Sequence, residues 1–258
     1  MPDFADDRHA VIARAREAGV GFILVPATEP SDFHPTLKLA QDYASFILPA
    51  LGIHPHEADQ ATDAALALIR DHACNGTICA IGESGLDFYR TLSPPDIQQE
   101  NLERHCELAL QTGLPIILHC RDAYPALLKT LRKYPGLKVI QHSFSGTRQD
   151  MGHLLEAGCS LSFSGMVTYP RNDELRLCAR EIPEGRLLLE TDAPFLPPWS
   201  VRGKRNEPAN VAEIYQAVAG LRDTRMEALS VVVEDNFARL IGLRRTALRP
   251  QEQEGFVS

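Results

Sequence analysis

The 258-residue sequence has no apolar run close to the roughly 20 residues that a membrane-spanning helix requires. No charged and then apolar leader precedes Gly19, so neither insertion nor export is expected. The six cysteines (74, 79, 106, 120, 159 and 178) never fall in Cys-x-x-Cys pairs, which points to reduced packing thiols in a cytoplasmic protein. Basic residues are in deficit: 26 Lys and Arg against 34 Asp and Glu give a net charge of -8, which argues against a simple basic nucleic-acid coat. Three signatures are missing as well: the dinucleotide G-x-G-x-x-G, the G-x-S-x-G nucleophile elbow and the Walker A loop. What remains open is an enzyme whose bound cations and a few local basic side chains engage an anionic substrate.

Short β-rich runs alternate with helical stretches along the chain, and no low-complexity linker or charge block marks a boundary. The opening MPDFADDRHAVIARAREAGV predicts a helix. Asp6 and Asp7 sit at its N-terminus, Val11, Ile12, Ala15 and Ala18 recur at helical spacing, and Gly19 ends it. Strands are expected in GFILVPA from Gly21, ASFILPALGIH to His54, TICAIGE to Glu83 and LPIILH to His119. Three more are expected in LKVIQH to His142, GCSLSFSG to about Gly165 and RLLLETD to Asp192. Each leads into turn residues and a helical stretch, the pattern of repeated βαβ units, and several are near-continuous apolar runs suited to burial on both faces. This predicts an α/β chain of seven strands, one short of a (β/α)8 TIM-like barrel of matching size. The opening helix then belongs to a barrel whose first strand is missing from the chain. A doubly wound open sheet is the competing architecture. A single domain is expected over residues 1–243, with a polar tail over 244–258.

Five of the seven strand runs end in a residue able to bind a metal or move a proton: His54, Glu83, His119, His142 and Asp192. One such histidine alone is more often a hydrogen-bonded core residue, and one such carboxylate is often a helix cap. Recurrence at the same structural position is different, because in a barrel the C-terminal strand ends converge on one mouth. Imidazole suits zinc and related ions, carboxylates also accept Mg2+ or Mn2+, and a carboxylate can bridge two ions. A pair of ions acidifies water and stabilises both the entering and leaving oxygens at phosphorus. Glu83 in GESGLD is the candidate bridge, and Asp192 in ETDAP is a candidate ligand and proton acceptor.

Arg121, two residues after His119, lies on the same side of an extended chain and can clamp phosphate oxygens. Arg202, Lys204 and Arg205 in VRGKRNEP follow the last strand and are candidate substrate contacts, or else solvated surface cations. Cys120 beside His119 points to the opposite face, which argues against a thiol nucleophile.

GIHPHEAD, AIGESGLDFYR, LPIILHCRDA, QHSFSG, LLLETDAPFLPP and RGKRNEPANV occur in the order seen in TatD-type metal-dependent deoxyribonucleases, which the chain resembles from Pro2 to about Leu243. The resemblance implies an amidohydrolase-like barrel that hydrolyses phosphodiesters in DNA, commonly as an exonuclease, with two divalent ions (Mg2+, Mn2+ or Zn2+). It implies that Glu83 bridges them, His119 and His142 hold one, Asp192 completes the other, His54 lines the phosphate side and Arg121 contacts the scissile phosphate. Phe88 and Tyr89 stand where a nucleotide could stack. Family members begin with a strand ending in His-x-His, and here Met1 stands where that motif has just ended. The expectation is therefore a start upstream of Met1, with two further ligands of one ion carried there. DNA is the expected partner, with no membrane and no obligate protein partner. The alternatives are a metal hydrolase of a carboxylic ester, lactone or aminoacyl-tRNA bond, or a non-catalytic scaffold on the same fold.

Overall fold

Helix α1 (Arg8–Glu17) buries Val11, Ile12 and Ala15, the apolar positions spaced for one helical face. Gly19 then leaves the helix with φ +83°, a conformation glycine adopts without a Cβ penalty. The computed structural model describes residues 2–242, and the 244–258 tail lies outside them.

Seven strands follow: β1 (Ile23–Ala27), β2 (Ile47–Leu51), β3 (Ala80–Asp87), β4 (Ile116–Arg121), β5 (Val139–Gln141), β6 (Ser160–Phe163) and β7 (Leu187–Leu189). Between them run α2 (Pro30–Asp42), α3 (Asp63–Cys74), α4 (Pro95–Thr112), α5 (Tyr124–Leu131), α6 (Arg148–Glu156) and α7 (Asp173–Glu181). After β7 come α8 (Val211–Leu221) and α9 (Met226–Ile241). Every pairing is parallel and the spatial order is β1-β2-β3-β4-β5-β6-β7. A doubly wound sheet reverses its strand order at a switch point, and this one does not. The architecture is the curled, sequentially ordered parallel sheet of the TIM-barrel class.

Strands form in all seven apolar runs, but their ends differ: β2 and β7 stop three residues before His54 and Asp192, β5 stops one before His142, and β3 and β4 run past Glu83 and His119. β3 continues past Glu83 to Asp87. Gly82, inside the expected run, and Gly85, just beyond it, carry the strand through a register shift between Ile81 and Ser84, with φ of +127° and +141°. Both glycines also permit close approach. A Cβ on Gly85 would lie 2.0 Å from the His119 carbonyl oxygen, and one on Gly82 would lie 2.5 Å from the Ile117 carbonyl oxygen.

Between sheet and helices lies a continuous core that includes Leu51, Ile81, Leu86, Leu102, Ile116, Leu118, Leu127 and Leu154. On β4 the alternation is clear: Ile116, Leu118 and Cys120 are buried, while His119 and Arg121 are partly exposed. Burial pushes the Cys120 thiol up, so it is a packing residue. Helix α4 fixes the end of β2. Asn101 donates to the Ile53 carbonyl at 2.7 Å, and the Ile53 N–H donates to His105 Nε2 at 3.2 Å, so the residue before His54 is held on both sides.

Candidate metal centre

Glu83 is the hub. Its Oε1 lies 3.4 Å from His54 Nε2, 3.3 Å from His119 Nδ1 and 3.0 Å from His142 Nε2. These imidazoles arrive from the end of β2, from β4 and from just beyond β5, which is the convergence that parallel strand ends impose. His54, Glu83 and His119 each offer a ligand atom, all within 4.8 Å of one another. The donor set fits a divalent ion: imidazole nitrogens and a carboxylate oxygen face one point, and the opposite ring nitrogens are engaged elsewhere. His54, one of the strand-end candidates, which the resemblance placed on the phosphate side, lies within the donor cluster itself.

Two carboxylates orient the rings. Asp87 Oδ2 is 2.9 Å from His56 Nε2 and 3.1 Å from His119 Nε2, which turns His119 Nδ1 toward Glu83. Its Oδ1 accepts the Tyr89 and Arg90 N–H groups at 3.0 and 2.7 Å. Gln98 accepts the Asp87 N–H at 2.8 Å and donates to its carbonyl at 3.1 Å. Glu190 Oε1 is 2.9 Å from His142 Nδ1 and accepts the Ser143 N–H at 2.8 Å, leaving His142 Nε2 to face Glu83. Sequence reasoning missed Asp87, Glu190 and His56. The signal was present: residues 83, 85 and 87 share a strand face, and Glu190 stands two before Asp192.

The electrostatics follow from this crowding. Burial alone would raise the Glu83 carboxyl, but the charges of His142 and His54 and hydrogen bonds from His119 and His142 hold it well below the usual range. Burial works against protonation of His142, yet Glu83 and Glu190 raise it well above an ordinary imidazole. His119 is likewise raised, by Asp87 and Glu83 against burial, while burial wins at His54 and lowers it. Asp87 is lowered: hydrogen bonds from His119, the Arg90 N–H and His56 outweigh burial. Asp192 goes the other way, pushed up to about 7 chiefly by burial, with His142 opposing and Glu190 and Glu83 assisting. A carboxyl poised near neutrality suits a proton acceptor.

Asp192 itself has φ +58° and sits in a loop secured by Asn206. This fully buried side chain donates to the Thr191 and Phe195 carbonyls at 2.8 and 2.7 Å. Its neighbours fasten the loop to α1: Arg205 pairs with both oxygens of Asp7 at 2.8 and 2.6 Å, and Glu207 receives Arg14 at 2.6 Å. RNEP is therefore a brace as well as a basic stretch. Arg121 places its guanidinium carbon 3.8 Å from the centre of the exposed Tyr89 ring, a face contact that leaves N–H edges for an anion. Arg202 stacks on Tyr169 and Trp199, and Lys204 is exposed on the same loop.

Comparison with known proteins agrees with this geometry. The model of the TatD related DNase family matches residues 1–242. A 3'-5' ssDNA/RNA exonuclease TatD from Musicola paradisiaca is 39% identical over 249 residues, covering 93% of this chain and 94% of the relative. The like-named protein of Erwinia amylovora is 37% identical, covering 93% and 95%. Among solved structures, the TatD homologue YJJV from Escherichia coli superposes with a TM-score of 0.88 at 31% identity, covering 95% of each chain. A TatD family hydrolase from Entamoeba histolytica gives 0.81 at 23% identity, covering 91% of this chain and 89% of that one, which bears on the fold alone. The chain belongs to the TatD related DNase family and is an enzyme of that family.

Proposed function

We propose that the protein is a metal-dependent phosphodiesterase that trims single-stranded nucleic acid, DNA or RNA, from an end. The observation that carries this reading is Glu83 ringed by three imidazoles with the Arg121 guanidinium on the adjoining strand end. The names of its relatives support the substrate class.

His54, His119 and His142 would hold divalent ions together with Glu83, whose position among imidazoles from three elements supports a bridging role between two of them, with Asp192 completing the set. When bound, such ions supply Lewis acidity toward a phosphoryl oxygen and acidify water. The chain's own groups do the rest. Arg121 binds two oxygens of the scissile phosphate and neutralises charge that grows in the transition state. Asp192, held near neutrality by burial, accepts the proton of the attacking water. Asp87 and Glu190 keep His119 and His142 in the tautomers that point donors inward. Tyr89, anchored by its backbone to Asp87, supplies a ring for the adjacent base. Arg205 is committed to Asp7, so the substrate contacts of the 202–205 loop fall to Arg202 and Lys204.

The test is hydrolysis of end-labelled single-stranded oligonucleotides with Mg2+ or Mn2+, beside carboxylic ester and lactone substrates. Stepwise shortening from one end, abolished by chelation, is expected. Arg121→Ala should reduce phosphodiester cleavage at least tenfold more than any ester cleavage. Turnover of esters with inert oligonucleotides would overturn the proposal.

A further inference from the structure

Trp199 is the chain's single tryptophan and is about half exposed, at 48%. An indole left in water on a loop is unusual, because its large apolar surface is normally covered. Its backbone is fixed: the Trp199 N–H donates to Thr168 Oγ1 at 2.8 Å, and the neighbouring Tyr169 hydroxyl donates to the Pro197 carbonyl at 2.9 Å. These bonds lock the loop after β6 to the loop after β7, and there is no slack between them. A Cβ on Gly165 would come within 2.1 Å of the Leu196 carbonyl oxygen. On this rigid base the two rings meet edge to face at 6.0 Å, with the Arg202 guanidinium carbon 5.1 Å from both centroids. An aromatic pair capped by a cation, standing on the mouth side of two adjacent strand ends, combines a stacking face with a phosphate contact.

The surroundings give this platform a direction. Phe195, 62% exposed, lies between it and Asp192 in sequence, and its N–H donates to the Asp192 carbonyl at 2.8 Å. At the ends of β3 and β4, Tyr89 with Arg121 repeats the ring-and-guanidinium pairing. Beyond Trp199 the groove between α7 and α8 carries one charge of each sign, Arg176 and Glu213, so the cation beside the rings is Arg202.

We infer that Trp199, Arg202 and Tyr169 form a base-stacking subsite for single-stranded nucleic acid, on the loops after β6 and β7. The inference rests on the nuclease reading above. It adds a reason for strand selectivity, since a base enters the platform only when it is free of a complementary strand, and every base has a π-face to offer.

The lone tryptophan makes the test direct. Phosphorothioate (dT)16, which resists cleavage, is titrated into the Mg2+-loaded protein while intrinsic tryptophan emission is followed, and binding is monitored independently by anisotropy of a labelled copy. Saturable quenching is expected, absent with a blunt duplex of the same length and weakened by Arg202→Ala. On cleavable (dT)16, Trp199→Ala should raise KM about tenfold with kcat retained, and Trp199→Phe should recover most of the loss. Because Trp199 is half exposed, its removal leaves the core intact. Anisotropy showing tight binding with unchanged emission, or a Trp199→Ala KM equal to that of the parent, would overturn the subsite while leaving the nuclease reading standing. Failure of the parent protein either to bind or to cut any single strand would overturn both.

Discussion

His105 gives the sharpest test of how the site is held. It is fully buried on α4 and sits between two backbone groups: its Nε2 accepts the Ile53 N–H, and its Nδ1–H donates to the Asn101 carbonyl at 2.8 Å. An acceptor at Nε2 requires a neutral ring, and burial pushes the group down from 6.5 to about 4. In the unfolded chain the imidazole titrates at its ordinary value. Between these two values the unfolded state therefore binds a proton that the folded state refuses. Stability is fully present above pH 6.5 and falls as pH drops toward 4, by about 1.4 kcal/mol per unit and about 3 kcal/mol in all. His105→Gln keeps an acceptor for Ile53 and removes the titration. Urea unfolding of parent and variant at pH 7.5, 6.5, 5.5 and 4.5 isolates the effect, because other carboxylates titrate equally in both. The variant should start about 1 kcal/mol less stable, from losing the Asn101 contact, and show a shallower slope below pH 6.5. Superimposable slopes would refute the neutral-clamp argument.

Glu190→Gln and Asp87→Asn remove ring-orienting charges, so each should weaken divalent-ion affinity by about 10 to 100-fold in isothermal titration calorimetry while leaving far-UV dichroism unchanged. Glu83→Gln leaves three imidazoles without their shared anion, and activity should fall below detection with any ion supplied. Gly85→Ala forces a Cβ against the His119 carbonyl at a φ of +141°, and destabilisation of about 3 kcal/mol or more is expected in thermal melts. Arg205→Ala should lower the melting temperature by loosening α1 and leave the oligonucleotide KM within twofold of the parent.

Much of the fold could be read because buried parallel strands are written as apolar runs: Ile116 to Leu118 and Leu187 to Leu189 admit little else once Gly and Pro bound them. The convergence of His54, Glu83, His119 and His142 was likewise legible, since each ends such a run. What escaped was of two kinds. The continuation of β3 to Asp87 was hidden by Gly85, whose φ of +141° and close approach to the His119 carbonyl are both possible because glycine has no Cβ. The brace formed by Arg205, Asn206 and Glu207 was hidden because its partners lie some 190 residues away, and no local pattern announces them. Arg205 read as a substrate contact or a solvated cation, and nothing local distinguishes Asn206 or Glu207. Only the fold shows them linking α1 to the Asp192 loop.

That brace has a consequence for how the enzyme comes into being. Arg14 leaves the ribosome early, and Glu207, its partner, follows 193 residues later. Helix α1 can pack on Phe46 and Ile47 as soon as these are made, but its link to the turn bearing Asp192 waits for Arg205 and Glu207. Closing so long a separation is slow relative to local helix formation, so the Asp192 turn is fastened to α1 only after all seven strands have been made.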